Sequence, residues 1–136
     1  MQKTAPALVV THVSGSTPSI LLVKTISGWS LPVGKEGEDV PALIERVEKD
    51  LLPPANAFEV LTGYHKTVHP DTGDLEVTLG RCHTGELRSF IESEDWFHAK
   101  FTSFEEASYI INPDHAKLLS WCERVVPNAL GISDAS

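Results

Sequence analysis

Residues 30–52 read Ser30-Leu31-Pro32-Val33-Gly34-Lys35-Glu36-Gly37-Glu38-Asp39-Val40-Pro41-Ala42-Leu43-Ile44-Glu45-Arg46-Val47-Glu48-Lys49-Asp50-Leu51-Leu52. The second half of this stretch predicts a helix. Asp39 is suited to cap it, and Pro41 is tolerated in a first turn, where a missing N–H costs no intrahelical bond. Val40, Leu43, Ile44, Val47 and Leu51 then recur at helical spacing and define one buried stripe. Pro53-Pro54 ends the helix. Upstream, 29–32 reads as a short extended piece that stops at a proline, followed by a Gly34/Gly37 loop.

Working outward, 7–13 and 19–24 are β-rich runs separated by Ser14-Gly15-Ser16-Thr17-Pro18, so the pair predicts a hairpin. Residues 58–69 and 75–82 predict two further strands around a turn-rich connector, and 96–101 predicts another. Ser103-Phe104-Glu105-Glu106 fits a capping box, with Ala107, Ile110 and Ile111 behind it. Asn112-Pro113 predicts the start of a last helix with Leu118, Leu119, Cys122, Val125 and Val126 on one face. Strands and helices mixed without strict alternation point to an α+β fold. The expectation is a single domain over 1–126 and a frayed tail over 127–136.

The composition narrows the classes of function. With 136 residues the chain can bury a core without disulfides or metal staples. A formal net charge of -8 argues against a nucleic-acid backbone as partner, although a few local cations can still build a positive pocket. Cys82 and Cys122 give no disulfide framework, and with no apolar run of membrane-spanning length or leader pattern the expected setting is cytoplasmic.

The order of hairpin, Trp-x-Leu-Pro-x-Gly loop, amphipathic helix, strand pair, Trp-Phe strand and Glu-Glu-Ala helix resembles the Nudix superfamily over roughly residues 6–126. Gly28-Trp29-Ser30-Leu31-Pro32-Val33-Gly34-Lys35 and Phe101-Thr102-Ser103-Phe104-Glu105-Glu106-Ala107 carry it best, and the second is similar to the diadenosine tetraphosphate hydrolase branch. The resemblance implies an α/β/α sandwich with a mixed sheet. It also implies a box of Gly, five residues, Glu, seven residues, then Arg-Glu-apolar-x-Glu-Glu-x-Gly-apolar that binds Mg2+ or Mn2+. Here the box is degenerate. Glu38 follows Gly34 after only three residues. Matching Val47 to the inner apolar position sets Arg46, Lys49 and Asp50 where the family has its metal-binding Glu residues.

Positions 46, 49 and 50 share one helical face. Two cations there oppose a metal by about 4 kcal/mol per unit charge near 4 Å at an effective dielectric of 20, and a divalent ion doubles the figure. Three readings follow. The plainest is a solvated, salt-bridged helix face on a protein that no longer catalyses. A sharper one has Arg46 and Lys49, with Asp50 beside them, holding a phosphate or carboxylate where a metal once sat. The third is a metal shifted to Glu45, Glu48, Glu36 and Glu38, disfavoured because position 45 lies about 100° around the helix from position 46.

Elsewhere, His65, His69 and Glu76 are candidates for proton transfer near neutral pH, against the plainer view that strand ends often carry such residues. Trp29, Tyr64 and Trp96 are candidates to line a ligand pocket, though aromatics in a small domain are more often core. Cys82 as a nucleophile has no support in sequence. The function expected is a metal-independent small-molecule enzyme of isomerase, lyase or cyclase type acting on an anionic or partly apolar substrate, without a cofactor. Its alternatives are a Mg2+- or Mn2+-dependent pyrophosphohydrolase of nucleoside diphosphate derivatives or dinucleoside polyphosphates, and a non-catalytic ligand-binding module. The expected partner is a small molecule, with no nucleic acid or membrane, and a homodimer is left open.

Overall fold

The computed structural model describes residues 4–14, 17–26, 28–35, 37–54, 56, 58–68, 74–88, 91, 96–112 and 115–129. They form β1 (Thr4–Ser14), β2 (Thr17–Thr25), β3 (Gly28–Ser30), α1 (Val40–Asp50), β4 (Glu59–Val68), β5 (Asp74–Arg81), β6 (His98–Thr102), α2 (Phe104–Ile110) and α3 (Ala116–Ala129). One six-stranded sheet has the order β3-β2-β1-β5-β4, with β6 paired to β2. β1 and β5 run parallel, from Thr4 opposite Asp74 to Thr11 opposite Arg81, and the other pairs are antiparallel, so the sheet is mixed.

Alternation along the central strands builds two cores. Leu8, Val10, Leu21 and Val23 face α1 and pack with Leu43, Val47, Leu51 and Trp96. Ala7, Val9, Ile20 and Leu22 face the other way and pack with Ala107, Ile111, Leu119, Cys122 and Val126 of the α2–α3 side. The continuous apolar run of β1 follows from this, because a strand covered on both faces has no polar side. The result is the α/β/α sandwich. Burying each such Leu or Val stabilises the fold by roughly 1.5–3 kcal/mol.

The stretch from Trp29 to Gly34 crosses from one strand to another. Trp29 pairs with Lys24 of β2. Beyond β3, Leu8 N donates to Pro32 O at 2.9 Å and Gly34 N donates to Pro6 O at 2.7 Å, so the chain passes alongside β1. A side chain at position 34 would meet the Pro6 ring at 2.5 Å, which explains the glycine. The same segment then turns into α1, whose Asp39 cap accepts from Ala42 N at 2.9 Å.

Three expected boundaries change. Trp96 precedes its strand, which begins at His98. The last helix starts at Ala116, after a backbone bond from His115 N to Asn112 O. It runs past Val126 through Pro127 to Ala129, and 130–136 lie outside the described residues. A proline near a helix end removes one hydrogen bond, and buried Val126 anchors that turn. No described helix is long and apolar enough to cross a membrane.

A Cβ at Gly80 on β5 would lie 2.1 Å from the Phe58 ring and 2.7 Å from Glu59 O, against backbone that cannot yield easily. Gly80→Ala is expected to destabilise the protein by about 1–3 kcal/mol. A urea midpoint equal to that of the unaltered chain would contradict this packing.

Candidate functional site

The α1 stripe that faces the core leaves Arg46, Lys49 and Asp50 on an adjoining face, with Lys49 exposed and Asp50 half-buried. Arg46 is engaged on three sides. Its Nε donates to Glu38 Oε2 at 2.9 Å and its Nη2 donates to Glu38 Oε1 at 2.9 Å and to Val33 O at 3.2 Å. The guanidinium carbon stands 4.2 Å from the centroid of the Trp96 ring, within cation–π range. Both charged side chains are largely withdrawn from water, at 15% and 14% exposure. Glu38 also accepts from Lys35 N at 3.0 Å.

Burial pushes the Glu38 carboxyl upward, yet the hydrogen bonds from Arg46 and Lys35 N and the charges of Arg46 and Lys35 outweigh it. They hold it below the usual carboxylate range. The guanidinium expected to cradle an anion therefore already holds a carboxylate of its own chain. Glu38 reaches Arg46 from the turn just before α1.

The shifted carboxylate cluster is not assembled. Glu38 is bound to Arg46, Glu48 Oε2 accepts from Phe58 N at 3.1 Å, and Glu45 is exposed. Glu36 lies outside the described residues, and among the described residues no three His, Cys, Asp or Glu side chains come together in a metal-binding group. Burial pushes the Cys82 thiol up to about 11, with the nearby Glu48 charge adding to the shift, so it stays protonated at neutral pH and is no nucleophile.

Of the aromatic candidates, Trp29 and Trp96 do not share a pocket. Trp96 is 2% exposed in the α1-side core, while Trp29 packs on the α2–α3 side, across the sheet. Only the backbone of Tyr64 and His65 in β4 is described, and His69 lies outside the described residues. His65 stands opposite Thr78, and Thr67 opposite Glu76, whose side chain is exposed.

Around half-buried Trp29 the sheet gathers basic groups absent from the sequence reading. Trp29 is opposite Lys24, Lys24 is opposite His98, and Leu22 is opposite Lys100. Lys24 Nζ lies 6.0 Å and Lys100 Nζ 5.0 Å from the Trp29 ring centroid, and the His98 ring is 5.8 Å away at 40°. Lys100 Nζ also donates to Glu106 Oε1 at 3.0 Å. Among the described residues Lys24 has no carboxylate partner.

The Trp29 backbone is fixed from below. Asn112 N donates to Trp29 O at 2.7 Å, and Leu31 N donates to Nδ1 of buried His115 at 3.3 Å. The spacing of His98 and Lys100, two apart on a strand, was a usable signal, since alternation puts both on one face. Their partner Lys24 becomes visible only with the β2–β6 register.

No protein-family model and no curated protein matches the sequence. Solved structures do. The chain is similar to an Ap4A hydrolase of C. elegans in a binary complex, with a TM-score of 0.70 and 18% identity, covering 93% of this chain and 98% of that one. It is similar to RenU, a Nudix hydrolase of M. smegmatis, with a TM-score of 0.70 and 14% identity over 93% of this chain and 87% of the other. The Nudix domain of Shewanella oneidensis NrtR complexed with ADP ribose aligns with a TM-score of 0.63 and 15% identity over 93% and 89%. The chain has the Nudix fold.

Glu38→Gln removes a charged partner from a guanidinium withdrawn from water and is expected to cost about 2 kcal/mol at pH 7. Because the folded Glu38 pKa is depressed, this contribution is present above the unfolded value of about 4.3 and is lost as pH falls through the folded pKa. Urea unfolding of both chains from pH 7 to pH 3 should show the gap closing below about pH 4. A gap that widens toward acid contradicts the assignment.

Proposed function

We propose that this Nudix-fold protein binds a small anionic molecule bearing a planar ring at the Trp29 face, and that α1 does not support metal-dependent pyrophosphate cleavage. The observation that carries the reading is Trp29 with two ammonium groups and an imidazole around its ring. The Lys24 and Lys100 ammonium groups stand over the indole ring, where they meet the phosphate or carboxylate of a planar ligand that packs against Trp29. The neighbours lend support, since an Ap4A hydrolase and an ADP-ribose complex both concern molecules that join a flat base to phosphates.

The family box is laid on this chain in two ways, and neither suits a hard cation. With Val47 as the inner apolar position, the metal-binding positions carry Arg46, Lys49 and Asp50. Counting instead from Glu38 across seven residues, the box arginine becomes Arg46, the residue that Glu38 grips. The three positions then carry Val47, Asp50 and Leu51, of which Val47 and Leu51 are fully buried. Mg2+ or Mn2+ needs several oxygen ligands, and each frame offers Asp50 alone. The residues present do not fit the metal.

A second reading, a metal-independent acid/base enzyme of isomerase, lyase or cyclase type, draws on the register that sets His65 two positions from the Thr67–Glu76 pair on adjacent strands. It requires a product, formed in excess chelator and lost in Glu76→Gln.

Thermal unfolding with millimolar AMP or ADP-ribose separates these outcomes. The binding reading expects Tm to rise by several degrees through mass action, Trp29→Ala to abolish the rise, and no mononucleotide or phosphate to be released with Mg2+ or Mn2+. Metal-dependent release that a chelator stops would overturn it.

A further inference from the structure

We propose that Glu106 is a built-in competitor for the anion site: its carboxylate occupies the position on Lys100 that the acidic group of an aromatic phosphate takes, and such a ligand binds by displacing it. The inference rests on the Trp29 reading above and assigns the place of the ligand's charge within it. Lys100 Nζ is the ammonium nearest the Trp29 ring, at 5.0 Å against 6.0 Å for Lys24. A phosphate attached to a ring packed against Trp29 is within reach of Lys100, and there it meets Glu106 Oε1, 3.0 Å from the same nitrogen.

The contact is suited to exchange. Both side chains are well exposed, at 39% for Lys100 and 50% for Glu106, so neither is locked by packing. An exposed pair of this kind is weak enough for a ligand anion to replace. A phosphate dianion brings twice the charge of the carboxylate and further acceptor oxygens, which Lys24 and His98 on the same face can share.

The sequence around Glu106 shows the diversion directly. In a full capping box its side chain would return to the Ser103 N–H. Here Ser103 Oγ accepts from Glu106 N at 3.1 Å, while the Glu106 carboxylate reaches across to β6 instead. Its charge is therefore aimed at the ligand face, not used up in the helix cap. Removing that charge leaves the Ser103 half of the cap intact.

The test titrates phenyl phosphate and phenol, which share a ring and differ in charge, into the full chain and into E106Q, K100Q and K100Q/E106Q at low salt and pH 7.5. Phenyl phosphate is expected to bind E106Q about two- to fivefold more tightly than the unaltered chain. K100Q should bind it several-fold more weakly, and the double variant should match K100Q, because Glu106 acts through Lys100. Phenol affinity should be the same for the unaltered chain and E106Q.

If E106Q binds phenyl phosphate no more tightly while K100Q and Trp29→Ala still lose it, the competitor role is wrong and the ligand face stands. If E106Q tightens phenol equally, the effect is not one of charge and the proposal falls. If phenyl phosphate binds neither the unaltered chain nor E106Q, the Trp29 site itself falls.

Discussion

Arg46 joins three parts of the chain that the sheet does not connect: the loop at Val33 and Glu38, helix α1, and the segment entering β6 at Trp96. A guanidinium this far from water carries a desolvation cost of several kcal/mol, and a bidentate carboxylate roughly offsets it. The gain lies in geometry more than in net stability. Glu38 N bonds Lys35 O at 2.9 Å while the Glu38 side chain bonds Lys35 N, so the short turn closes on itself before Arg46 fastens it to the helix. Trp96 completes the enclosure from the other side.

That arrangement supplies a partner for the α1 face from outside the helix. Charge counting along α1 placed two cations and one carboxylate on a face and left open what they held. The answer sits outside the helix, in a loop residue. Sequence distance hides such a pair, because eight positions separate Glu38 from Arg46 and a capped turn intervenes. Lys49 is an exposed helix charge.

The regular elements were legible because each is specified locally. The 14–18 turn, the Asp39 cap with Pro41, the Val40–Leu51 stripe and the Ser103 cap all lie within a few residues of what they control. What could not be read is what depends on register and layer. The parallel pairing of β1 with β5 joins segments some seventy residues apart, as Thr4 with Asp74 shows. Trp29 and Trp96 look alike in sequence yet fall on opposite faces, since one lies within β3 and the other precedes β6. Lys24, His98 and Lys100 form a group only when β6 settles against β2. His115 gives no periodic signal at all; its ring accepts from the backbone N–H of Leu31, 84 positions away.

The sheet between the two faces lets them differ in chemistry. On one side, buried Val47 and Leu51 lie beside the Arg46–Glu38 pair; on the other, two lysines lie over an indole. A net charge of -8 taken alone repels anions. Screening decides otherwise: at physiological ionic strength the Debye length is about 8 Å, so distant carboxylates count for little against two ammonium groups at contact range. The nearby carboxylate of consequence is then Glu106, already on Lys100. For the ligand proposed at the Trp29 face, local arrangement counts for more than total charge.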